Sequence, residues 1–282
     1  MFNTKQFIVI GLVVILMGIL LSMSIKGLVK PKDQRGINST GTTTQTSTPV
    51  LTLDEVSAIA KETLNANLVQ QIADLENNLK TASQSEKLGI QKQLAQKWDD
   101  VNAPIPAAFY YELIAEAEQN YQNWLKAGDR FTEAYKNAQD SLTQPALIEK
   151  AINAYQKALD LEANSLDAKI GLGVAYVNGT SNPMQGIQLL LAVVKENPNN
   201  VKANMSLGLF SMKSGQYEKA ISRFKTVISQ NQDPEAWFYL ASSHENLGNK
   251  EEAIIAYLKS KELAADPSLG KFVDKKVKEL KR

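Results

Sequence analysis

A leucine followed by a small residue returns about every 34 residues through the C-terminal two thirds of this chain. Leu172-Gly173, Leu207-Gly208 and Leu240-Ala241 stand 35 and then 33 residues apart. Each is followed by a second small residue and an isoleucine: Gly186-Ile187, Ala220-Ile221 and Ala253-Ile254. A period of this size defines a solenoid of helix pairs, because one unit cannot bury its own apolar face and neighbours must stack. The fold class expected is therefore all-α.

Composition narrows what such an array does. Lys plus Arg number 31 and Asp plus Glu 30, so no charge excess points to nucleic acid. The absence of cysteine removes disulfides, thiolate catalysis and Cys-type zinc sites together. The sole histidine, His244, falls at a place where a packed residue is expected, and it has no companion donors for a metal. Asp99-Asp100 and Glu251-Glu252 read as helix-start and capping residues. Gly171-Leu172-Gly173 lies inside a helix and is packing glycine, not a phosphate loop. No enzyme activity and no cofactor are expected.

At the other end, Phe7 to Ile25 gives 19 residues without a charge, enough to cross a hydrocarbon core of roughly 30 Å as one helix. Ser22 and Ser24 loosely mimic a small-x-small cleavage site, but the apolar run exceeds a signal-peptide core, so residues 1–30 are expected to be a retained transmembrane anchor. Lys26, Lys30, Lys32 and Arg35 on the far flank outweigh Lys5, which leans the rest of the chain toward the cytoplasm. The Ser/Thr-rich stretch 31–51 suits an exported stalk almost as well, so the side stays open. Either way it is a flexible tether.

Leucines and other apolar residues recur every three or four positions from Leu53 to Leu79, predicting an amphipathic helix over 52–87. This helix is expected to pack on the first repeat, or to pair with a second copy. Working outward from the clear units gives five, over 88–267: 88–120, 121–165, 166–200, 201–233 and 234–267. Residues 268–282 place Phe272, Val273, Val277 and Leu280 on one face. Five lysines and Arg282 lie elsewhere, as in a solubilising cap helix.

The residues of three units carry a family pattern. Leu207-Gly208, Gly215, Tyr217, Ala220 and Phe224 are matched by Trp237, Leu240-Ala241, Gly248, Ala253 and Tyr257. Before them come Leu172-Gly173, Tyr176, Gly186, Leu190 and Pro198. This resembles the tetratricopeptide repeat family, whose signature runs Trp-x2-Leu-Gly-x2-Tyr, Ala-x3-Phe, Pro. Ser211 and Gly186 depart from it, and the turn Asn178 to Pro183 is one residue longer than the family norm.

The resemblance implies a right-handed superhelix with a partner-binding concave groove lined by the first helix of each unit. In that frame Leu125, Ile170, Met205 and Phe238 form one groove level. Val174, Leu209 and Ser242 form the next, then Val177, Met212 and Glu245, with Lys202 and Lys213 at opposite rims. The expected binding residues are Ile170, Val174, Met205, Leu209, Met212 and Phe238, steered by Lys202 and Lys213. An apolar row of this kind, without the basic clamp of chaperone-binding relatives, points to an apolar segment or amphipathic helix as ligand. The expected role is a membrane-anchored adaptor for a protein partner of unknown identity; the alternative is a self-associating subunit of a membrane assembly.

Overall fold

The computed structural model describes residues 51–138 and 143–282. The anchor expected at 1–30, and all of the 31–51 tether except Leu51, lie outside the described residues. Among the described residues there are thirteen helices and no strand, and none of the helices is long and apolar enough to cross a membrane.

Two leading helices, α1 (Leu53–Lys61) and α2 (Ala66–Thr81), come first. Five helix pairs follow: α3 (Gln84–Asp100) with α4 (Pro104–Glu118), α5 (Tyr121–Asn137) with α6 (Thr143–Leu161), and α7 (Leu166–Gly179) with α8 (Pro183–Glu196). Then come α9 (Val201–Lys213) with α10 (Tyr217–Gln230), and α11 (Pro234–Asn246) with α12 (Lys250–Ala264), before a closing helix α13 (Pro267–Leu280).

The stretch 52–87, expected as a single amphipathic helix, is instead α1, α2 and the first residues of α3. The reason is local capping. Thr52 and Glu55 satisfy each other's amides in a capping box. Asn65 accepts from the Leu68 amide at 3.0 Å, and the Ser83 amide donates to Glu86 at 3.0 Å. Such side chains offer otherwise unpaired amides a partner and restart a helix even where the apolar period runs on. Helix α1 packs on α4 and α2 packs on α3, with Val56 and Ile72 buried.

The same chemistry starts the helices of the array. Asn120, Ser165 and Asn200 each accept a hydrogen bond from the amide three residues on. Proline opens α4, α8, α11 and α13, where its missing N–H costs nothing. The turns inside the fourth and fifth units need a left-handed residue, supplied by Gly215 at φ 72° and Gly248 at φ 78°.

Close approach between helices sets the packing. A Cβ on Gly186 would stand 2.2 Å from the carbonyl oxygen of Gly173, so α7 and α8 meet backbone to backbone. Alanine serves at the corresponding Ala220 and Ala253, both fully buried, but has no room in the third unit. Tyr155 of α6 lies against Gly128 of its own unit and Gly171 of the next, and Phe224 of α10 lies against Gly208 of its own unit and stacks on Tyr239 of the next.

From the second unit on, each first helix touches the first helix of the next unit, α5 to α7, α7 to α9 and α9 to α11, whereas successive second helices make no comparable contact. The first helices therefore line the inner, concave side.

Gly186→Ala should lower stability by about 1–3 kcal/mol, the ordinary cost of overpacking. Gly89 lies within α3 with no atom within 4 Å of an added Cβ, so Gly89→Ala should raise stability by about 0.5–1 kcal/mol. Urea unfolding midpoints of the two variants, moving in opposite directions, check both.

Candidate protein-binding groove

The groove begins from the rows that the inner helices turn toward the concave side. Lys92, Leu125, Ile170, Met205 and Phe238 hold equivalent places on α3, α5, α7, α9 and α11. One turn on come Gln96, Asp129, Val174, Leu209 and Ser242, and then Asp99, Thr132, Val177, Met212 and Glu245. Extending the frame into the first two units adds the members on α3 and two on α5, Asp129 and Thr132.

Ile170 is not groove surface. It is only 6% exposed and packs with Leu190, Ala203 and Leu207 at the junction of the third and fourth units. Val174, Met205, Leu209 and Met212 are half-buried. Each touches a core cluster with one side and leaves the other open to the groove. They form a continuous row on α7 and α9. None of it is covered by α1 or α2, which pack on the first unit.

Phe238 belongs less to a ligand surface than to the array's end. Its ring lies 5.6 Å from that of Tyr257 and 5.8 Å from that of Phe272 on α13, centroid to centroid. The rim lysines differ as well. Lys202 donates to Asp167 at 2.8 Å with both side chains largely exposed, a pair worth little in stability. Lys213 is exposed at the C-terminal end of α9.

Both ends of the groove are polar and internally paired. Lys92 bridges to Glu118 at 2.6 Å, and Asp99 receives Arg130 at 3.0 Å and the Tyr111 hydroxyl at 2.7 Å. At the far end Glu245 accepts from Lys276 of α13 at 2.8 Å and from Tyr257 at 2.6 Å. Burial would raise the Glu245 pKa, but these two donors outweigh it and hold the carboxyl below its usual range. Burial raises the Tyr257 phenol in turn.

Asp129 is one of the groove residues missing from the sequence-based set. It accepts from the Tyr155 hydroxyl at 2.8 Å, and that hydroxyl also meets the Thr132 hydroxyl at 3.1 Å. Asp129 is exposed on the open side of the groove, while the helix walls beside it withdraw part of its hydration. This desolvation raises its pKa, against the opposing pull of the Tyr155 hydrogen bond. The signal that would have found Asp129 is its spacing of 45 residues from Val174, the same as Leu125 from Ile170.

His244 is buried at 9% exposure, with its ring nitrogen 3.4 Å from the Asn249 amide. Among the described residues no cluster of three or more His, Cys, Asp or Glu stands ready to hold a metal.

Residues 211–268 match the family model described as Tetratricopeptide repeat. No curated protein matches the chain. Among solved structures, PilW, described as a widely conserved type IV pilus biogenesis factor, aligns at 15% identity over 78% of this chain and 98% of its own, with a TM-score of 0.52. MamA from Desulfovibrio magneticus RS-1 aligns at 18% identity over 63% and 95%, TM-score 0.48. YrrB, described as a TPR protein with an unusual peptide-binding site, aligns at 19% identity over 71% and 97%, TM-score 0.44. The fold is an all-α solenoid of tetratricopeptide type. The chain shares this fold with PilW.

Burial lowers the His244 pKa below its ordinary 6.5, with Lys225 adding repulsion and Glu252 opposing. The unfolded chain thus binds this proton at a higher pH than the folded one. Stability is full above about pH 6.5 and falls as acidification passes that value toward the folded pKa. His244 is the only histidine, so His244→Gln should flatten the loss in urea midpoint between about pH 7.5 and pH 6.

Proposed function

We propose that this protein is a membrane-anchored scaffold that holds a protein partner, through an apolar segment or amphipathic helix, in the concave face of its helical array. The observation that carries this reading is the row Val174, Met205, Leu209 and Met212, apolar and open on the inner helices. Methionine and leucine side chains on such a row adapt to varied apolar partners. The anchor is Phe7 to Ile25, read from its length and lack of charge. Tethering keeps the partner at high local concentration near the bilayer without demanding tight binding. The flanking lysines favour a cytoplasmic array, with export nearly as compatible.

The test is affinity capture by the full chain from membranes, with and without Met205→Asp and Leu209→Asp together. Helical circular dichroism checks that the variant is folded. The partner should be lost from the variant, and an unchanged capture profile would sink the groove reading. Sedimentation of the purified full chain in detergent at micromolar concentration should show a monomer, whereas a stable oligomer supports the self-associating alternative. Deleting residues 1–30 should release the chain from carbonate-washed membranes. Reporters active on only one side, fused to Arg282, then read the orientation.

A further inference from the structure

The groove rows carry four charged residues: Lys92, Asp99, Asp129 and Glu245. Three of them find an opposite charge within the chain, Lys92 with Glu118, Asp99 with Arg130 and Glu245 with Lys276. Asp129 forms no ion pair among the described residues. The two cations that act on it electrostatically, Arg130 and Lys202, are bonded elsewhere: Arg130 to Asp99 and Glu133, Lys202 to Asp167.

The last unit supplies the comparison. Tyr155 and Tyr257 hold equivalent places on α6 and α12, and each donates its hydroxyl to a groove carboxylate of its own unit. Beside Glu245 a lysine from α13 completes the set. Beside Asp129 the next inner helix, α7, has Lys169 as its only cation, and that lysine faces Glu196 on α8. A carboxylate fixed by a tyrosine, facing an open groove and without an ion pair of its own, is a place for a cation brought by a ligand.

Building on the groove reading above, we propose that Asp129 anchors a lysine or arginine of the bound segment, so that the groove takes a cationic amphipathic helix. Asp129 and Val174 are successive members of one row on touching helices, which sets them about 8–10 Å apart along the array. For a helical ligand lying along that row, the cation sits about five to seven residues from the first apolar anchor, given 1.5 Å of rise per residue.

The experiment uses the full chain in detergent and a displayed library of random peptides about fifteen residues long, roughly four helical turns. The most enriched peptide is then synthesised, together with a variant in which its cation becomes glutamine. Both are titrated by fluorescence anisotropy onto the native chain and onto Asp129→Asn, which keeps an oxygen for Tyr155 to bond. Enriched peptides should carry a cation at the stated spacing from an apolar residue. Losing the cation, or Asp129, should each weaken binding about tenfold, with no further loss when both are changed.

Enrichment of apolar peptides without a cation, or independent effects of the two changes, overturns the role of Asp129. The groove reading survives that outcome if the same peptides fail to bind the Met205→Asp, Leu209→Asp chain. Peptides that bind that chain undiminished, or no enrichment at all, overturn both.

Discussion

The closeness with which paired helices meet at a few small residues governs the rest of this array. Where Gly173 faces Gly186 there is no room even for a methyl group. Where Tyr155 crosses Gly128 and Gly171, or Phe224 crosses Gly208 and stacks on Tyr239, a glycine makes space for an aromatic ring wedged between successive units. The small residue and the ring are two halves of one contact, since removing either leaves a cavity or a clash. Because these rings insert beside the inner helices, they set the spacing of the inner face as well as filling the core.

That spacing explains why the groove is apolar in its middle and polar at its ends. In the middle, Val174, Met205, Leu209 and Met212 help cement one unit to the next and cannot be polar without loss of packing. At the ends fewer stacking neighbours demand apolar contact, and charged residues pair instead. Lys92 finds Glu118, Asp99 finds Arg130, and Glu245 finds Lys276. Asp129 stands at the border between the two regimes, with a tyrosine on one side and the apolar row on the other.

The parts of this molecule legible in its sequence are those fixed by short-range rules. Spacing of Leu-Gly and Leu-Ala pairs locates the later units, and Gly215 and Gly248 mark the turns within them. The parts that were not legible depend on competition between local signals or on contacts between distant residues. Asn65 and Ser83 break the leading segment into separate helices because capping wins locally over a continuous apolar period. Ile170 shares a row with Met205, yet Leu190 and Leu207 close over it. Asp129 lies one turn beyond Leu125 and is reached by the same 45-residue spacing, but its bond to Tyr155 on the facing helix is not written in any spacing.

The half-buried state of the apolar row also bears on how tightly it can bind. A fully exposed leucine or methionine gains about 1.5–3 kcal/mol on burial, and one already half-covered has roughly half of that left to gain. Four such residues offer about 3–6 kcal/mol, which by itself corresponds to binding between several millimolar and tens of micromolar and is weakened further by the cost of ordering a ligand. A surface of this kind selects partners poorly, since apolar contact alone barely discriminates among amphipathic helices. A fixed charge one unit away discriminates well, because the wrong sign or no charge leaves a partly desolvated carboxylate without compensation. On the proposed reading the apolar row supplies adaptability and Asp129 supplies the choice.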